Sequence, residues 1–232
     1  MTGRDIKIQA SEGGEFDAYI AERSGAGKAP AIVLASSVHG VTADQRAIAD
    51  SLASEGYIAI VPDLFWRTMP GPLAIDDPRT KIRSQPRKEK IRTGEADLRD
   101  TLAAVRRLDR CNGWSAVIGF CYGGPYAVIG PKRLGFDAGV SCHGTNMLDY
   151  IGELEGLEKP VSINVGDEDH AAPKEVLDAY QAAAKRMPNV DMRIYPGARH
   201  GYMFAGNAKA YDPGAYDATM QRVLKLMAGL KS

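Results

Sequence analysis

"SAVIGFCYGGPYAVIG", running from Ser115 to Gly130, is the stretch on which the fold turns. An apolar run ends at Gly119, and a helical-looking segment follows Gly123 and Gly124. Between these glycines stands Cys121. A cysteine in a tight glycine turn is commonly a small core residue. The same spacing also suits a turn that projects a sulfur from the end of a strand. The sequence on either side decides between the two.

To the left, "APAIVLASS" (Ala29–Ser37) and "YIAIVPDLF" (Tyr57–Phe65) are apolar runs too short for buried helices. Between them, "TADQRAIADSLASEG" sets Ala43, Ala47, Ile48 and Leu52 at helical spacing and closes on Gly56. Strand, helix and strand of this length make a parallel crossover. The alternation continues. "EADLRDTLAAVRRLDR" reads as a helix, "SAVIGF" as a strand, and "GGPYAVIG" as a short helix stopped by Pro131. "FDAGVSCHG" and "KPVSINVGD" are further buried strands, and "PKEVLDAYQAAAKRM" is a helix with Pro173 in its first turn. "VDMRIYPG" is an eighth strand, and "DPGAYDATMQRVLKLMAGL" a closing amphipathic helix. The opening "IKIQA" and "EFDAYIAE" alternate as an antiparallel edge hairpin. The expectation is a single α/β domain over 1–232, with an open, doubly wound, mostly parallel eight-stranded sheet and helices on both faces.

Composition excludes several classes of function. Acidic and basic residues balance at 29 each, so no global field recruits nucleic acid or an anionic membrane surface. No run of about 18 apolar residues occurs, and "MTGRDIKIQASEGG" lacks the apolar centre of a signal peptide. Cys111, Cys121 and Cys142 are odd in number and widely spaced, which argues against a disulfide framework and for the reducing cytoplasm. No P-loop, dinucleotide glycine fingerprint or paired C-x-x-C is present, against phosphate, NAD and zinc readings. The basic run "PRTKIRSQPRKEKIR" (Pro78–Arg92) reads foremost as a solvated helix face with its preceding loop, with binding of an anionic substrate group, and then of nucleic acid, as the alternatives.

Chemistry in such sheets collects beyond the carboxyl ends of the strands. There, Gly119-Phe120-Cys121-Tyr122-Gly123 has the G-x-S-x-G spacing of a nucleophile elbow, with Cys for Ser. The elbow strains the nucleophile's backbone, and its glycines remove Cβ atoms that would clash. The helix that follows turns its N-terminal amides toward the sulfur and favours thiolate. A thiol nucleophile needs a base, and the base an orienting acid. α/β-Hydrolase chains supply them in the order nucleophile, acid, histidine. His200, in "YPGARHGY", is the only late histidine; by itself it would read as a surface residue. Asp169, in "VGDEDHAAP", is the expected acid, with Asp167 and Glu168 as rivals. His170 reads as the acid's neighbour, and His143 as a pocket-lining or strand-capping residue. His39, in "SSVHGV", lies on the loop suited to a second oxyanion donor, so the amides of Tyr122 and Val38 are the expected pair.

These residues resemble the dienelactone hydrolase (carboxymethylenebutenolidase) family of the α/β-hydrolase superfamily. "GFCYGG", "GDEDHAAP" and "YPGARHGY" are similar to its catalytic motifs, and "EGYIAIVPDLFWR" to its fourth-strand segment. The resemblance implies Cys121 as nucleophile, Asp169 as acid and His200 as base. It also implies a cofactor-free hydrolase of small esters or lactones. The expected partners are a small-molecule substrate and no nucleic acid or membrane, in a monomer or small homo-oligomer. Two positions depart from the pattern. Ser37 stands where the family carries Glu, which removes a carboxylate that restrains thiolate. Phe204 stands where the family carries an Arg for the substrate carboxylate, and Arg83 or Arg79 corresponds to a second such Arg. Ser37, His39, Arg83 and Phe204 are therefore the expected substrate-facing residues, with a preference for neutral, apolar substrates. A thioesterase on the same triad, or a non-catalytic thiol protein used in redox or binding, are the alternatives.

Overall fold

The computed structural model describes residues 3–22, 25 and 27–230, so the domain limits expected at 1 and 232 lie outside the described residues. Its eight strands follow the order β1-β2-β4-β3-β5-β6-β7-β8 in one sheet. The chain divides into two compact units, Met1–Ser115 and Ala116–Ser232.

In the first unit, β1 (Arg4–Gln9) and β2 (Glu15–Glu22) form the expected hairpin, in register from Arg4 opposite Ile20 to Gln9 opposite Glu15. β2 also runs antiparallel to β4 (Ile58–Pro62), which is parallel to β3 (Ala29–Ala35). Every residue of β3 and β4 is buried, which is why both read as unbroken apolar runs rather than alternating ones. Helix α1 (Ala43–Ser54) starts at Thr42, whose hydroxyl accepts the Gln45 N–H, and buries Ile48, Ala49, Leu52 and Ala53. Gly56, at φ +91°, turns the chain into β4.

The basic run is more helical than its sequence suggested. Arg79–Arg83 form the short helix α2, and helix α3 spans Arg87–Arg106 rather than starting at Glu95. Its first two turns, "RKEKIRTG", place one apolar anchor, Ile91, among charges, so no hydrophobic periodicity marks them.

In the second unit, β6 (Ala138–Cys142) pairs in parallel with β5 (Cys111–Phe120) and with β7 (Val161–Glu168). β8 (Val190–Arg199) completes the run beside β7. β5 begins at Cys111, earlier than its apolar core at Ser115. After β5 come a 3-10 turn at Cys121–Gly123 and the short helix α4 (Tyr126–Ile129). Pro131 does not stop this helix. The winding loosens into a π turn at Gly130–Leu134, which accommodates a residue with no N–H, and ends at Gly135 with φ +90°. Helix α5 (Lys174–Arg186) has Pro173 as its N-cap rather than inside its first turn. Helix α6 (Pro213–Ala228) is capped by Asp212, whose Oδ1 accepts the Ala215 N–H at 3.0 Å. Among the described residues, no helix is long and apolar enough to cross a membrane.

Candidate active site

Cys121 is the first residue after β5, and its φ of +50° puts a side-chain-bearing residue in the left-handed region. That strain is held in place by close packing on both sides. A Cβ on Gly119 would lie 2.0 Å from the Gly123 carbonyl oxygen, and one on Gly124 would lie 2.3 Å from the Gly144 Cα. No side chain fits at either position. The Cys121 carbonyl accepts the N–H of Gly124 at 3.0 Å and that of Thr145 at 2.9 Å, with the Thr145 hydroxyl at 3.3 Å. These bonds pin the turn, and the sulfur is left half-buried at its crest.

Asp169 and His200 reach the sulfur from the ends of β7 and β8. His200 Nε2 lies 3.1 Å from Cys121 Sγ. On the other side of the ring, Nδ1 lies 2.9 and 3.0 Å from the two Asp169 carboxylate oxygens. A carboxylate only accepts, so Nδ1 carries the proton and Nε2 faces the sulfur. Asp169 is buried and fixed by the Ala171 N–H, which donates to its Oδ1 at 2.8 Å. The rivals are engaged elsewhere. Asp167 accepts the Gly197 N–H, and Glu168 pairs with Arg199. Burial opposes a charged His200, but the Asp169 and Cys121 contacts outweigh it and raise the ring's pKa to about 10. The three groups thus form a hydrogen-bonded chain from a buried carboxylate through an imidazole to a sulfur.

Around His200 lie residues whose part the sequence left open. The buried His143 ring sits edge-on at 5.1 Å, and the exposed His170 ring at 4.9 Å. Phe204 is buried, 5.2 Å from His143 and 5.8 Å from Phe120. Tyr202, which sequence reasoning missed, backs His143 at 5.4 Å and shares a hydrogen bond with Thr219. Only its position two residues after His200 could have marked it. Tyr122 is buried in the 3-10 turn directly after the cysteine.

The remaining candidates belong to the first unit. Ser37, Val38, His39 and Gly40 form a tight turn, with the Gly40 N–H on the Ser37 carbonyl at 3.0 Å and the His39 N–H on Ser37 Oγ at 3.2 Å. His39 Nδ1 lies 3.2 Å from the Ala74 carbonyl, so it carries the proton. Arg83 departs from the expected clamp. Its side chain is fully enclosed, donates to the carbonyls of Val38 (3.2 Å) and Gly71 (2.5 Å), and stacks on Phe65. Asp63 lies 3.7 Å away, itself buried and bonded by the N–H groups of Phe65 and Gly71. The guanidinium therefore braces the Val38 turn and the Gly71 loop. Arg79 pairs with Asp77 at the surface. Among the described residues, no group of three or more His, Cys, Asp or Glu side chains could hold a metal ion.

Known proteins resemble this chain along nearly its whole length. A relative from Azospirillum brasilense is 30% identical over 229 residues, covering 91% of this chain and 92% of its own length. Carboxymethylenebutenolidase 1 of Cupriavidus pinatubonensis is 27% identical over 236 residues, covering 100% and 99%. A solved structure from Klebsiella pneumoniae superposes with a TM-score of 0.83 at 21% identity, covering 98% of this chain and 99% of the other, which identifies the α/β-hydrolase fold. The model of the dienelactone hydrolase family matches residues 16–230, and the chain belongs to that family of hydrolases.

Proposed function

We propose that this hydrolase acts on small, neutral esters or lactones through a covalent acyl group on Cys121, without a cofactor. The observation that carries the reading is the hydrogen-bonded chain from Asp169 through His200 to Cys121 Sγ. Sγ attacks the substrate carbonyl carbon, and the carbonyl electron pair moves onto oxygen, where the Tyr122 amide is a donor. The sequence reading assigns the second donor to the Val38 amide. As the carbonyl re-forms, the C–O bond to the leaving group breaks and His200 Nε2 gives that oxygen its proton. A water then loses a proton to Nε2, attacks the thioester and releases the acid, and the C–S bond breaks to restore the thiolate. Asp169 holds the ring's tautomer throughout.

The name of the Cupriavidus relative supports a lactone or ester as substrate class. Phe204, where the family resemblance expects a carboxylate-binding Arg, supports a neutral one. The family match across 16–230 supports one catalytic domain, and three free cysteines support a reducing, cytoplasmic location. The test is a panel of esters, lactones and thioesters with wild type and Cys121→Ala. The variant is expected to lose at least about 10³-fold in kcat/KM. Cys111→Ala and Cys142→Ala, both at buried strand ends, are expected to turn over normally. Equal damage from all three substitutions would favour a non-catalytic thiol protein, and a preference for thioesters would favour the thioesterase.

A further inference from the structure

His143 is the least comfortable residue near the triad. Its ring is fully buried, and neither ring nitrogen has a hydrogen-bond partner among the described residues. Its φ is +41°, so its backbone is also strained. An unpaired buried polar ring and a left-handed backbone are each unfavourable, and an ordinary core residue avoids both. A native group left in this condition calls for a functional account.

The surroundings supply one. The ring stands nearly perpendicular to three others: His200 at 77°, Tyr202 at 74° and Phe204 at 82°. Phe120, the residue before the nucleophile, closes a fourth side at 6.3 Å. The backbone under the ring is tied down, with the His143 N–H on the Asn164 carbonyl at 2.8 Å. His200 therefore packs against the buried His143 ring and against the exposed His170 ring. Burial, and then the nearby His200, push the His143 pKa well below its ordinary value, so the ring is uncharged. An uncharged aromatic ring against an imidazolium is favourable, whereas a second cation there would repel it.

We propose that His143 is a positioning residue for the triad: its ring, packed against His200, Tyr202 and Phe204, fixes the plane in which the His200 imidazole turns. Nε2 then stays on Cys121 while Nδ1 stays on Asp169. This inference rests on Cys121 and His200 acting as nucleophile and base.

The test compares His143→Phe, which keeps a ring, with His143→Leu and His143→Gln, which do not. Turnover of a neutral ester and the pH profile of iodoacetamide alkylation at Cys121 are measured for each. The ring-less variants are expected to lose about tenfold or more in kcat with KM within about twofold, as for a misaligned catalytic group. Alkylation at pH 7 should slow in parallel, because a loosened His200 supports less thiolate. His143→Phe should stay within about threefold of wild type in kcat and overlay its alkylation profile. Ring-less variants with wild-type kcat and alkylation overturn the proposal. So does a His143→Phe variant as impaired as His143→Leu. Should the ring-less variants fail to fold, the His143→Phe profile decides alone, and a displaced profile overturns the idea. Cys121→Ala in the same assays separates the two levels. Full activity there defeats the Cys121 reading itself, whereas an inactive Cys121→Ala beside an unimpaired His143→Leu defeats only this inference.

Discussion

The Cβ atom that Gly124 lacks would lie 2.3 Å from the Cα of Gly144. The turn carrying the cysteine and the loop leaving β6 meet backbone to backbone, with no flexible side chain to move aside. Gly124→Ala is therefore expected to destabilise the fold by at least about 2 kcal/mol, toward the upper end for overpacking. Gly152, with open space around its own missing Cβ, is the control: Gly152→Ala should stay within about 0.5 kcal/mol of wild type. Urea denaturation of the pair checks this, and equal midpoints would show that the contact is easily relieved.

The enclosed Arg83 offers a second test. Arg83→Met leaves the Val38 and Gly71 carbonyls without a donor and Asp63 without its cation. A loss of about 3 kcal/mol is expected, the scale for breaking a buried pair. The ratio of kcat/KM for carboxylate-bearing and neutral esters should not change. Unaltered stability together with a selective rise in KM for the charged ester would return Arg83 to the clamp role.

For Phe204 the expected direction concerns selectivity. Wild type should favour neutral esters over matched carboxylate-bearing ones by at least about tenfold, the scale of one lost charged contact. Phe204→Arg should narrow that ratio and lower the melting temperature, since it inserts a cation among Phe120 and His143. An unchanged ratio would remove Phe204 from the substrate's surroundings.

The raised His200 pKa makes stability depend on pH. The folded ring binds its proton more tightly than an ordinary histidine at 6.5, up to about 10. Its contribution is therefore complete below about pH 6.5, falls across the interval, and is gone above about pH 10. Asp169→Asn removes one source of the shift, so the alkaline decline should flatten relative to wild type. Matching slopes in the two proteins would show that the ion pair adds nothing to folding.

How much of this was legible from sequence depended on how local the signal was. The buried strands could be read because β3 and β4 are buried at every residue and so carry unbroken apolar runs. The order of Cys121, Asp169 and His200 could be read because each directly follows a strand. The start of α3 could not, because its charged turns have only Ile91 to fix them. Arg83 read as part of a solvated basic face or as a substrate clamp, since nothing in "RTKIR" marks the member whose partners are the distant carbonyls of Val38 and Gly71. His143 was ambiguous for the same reason. Three of its four ring neighbours lie at positions 200–204, far along the chain.

The short segment from His143 to Thr145 touches both the Cys121 turn and the His200 ring. Its histidine backs the His200 ring, its glycine meets Gly124, and its threonine holds the Cys121 carbonyl. For protein engineering this separates two kinds of loop. The segment after β6 is a fixture shared by the Cys121 turn and the His200 ring, where one replacement disturbs both and the two effects cannot be tuned independently. Libraries aimed at new substrates should leave these three residues constant and vary Phe204 and its surroundings.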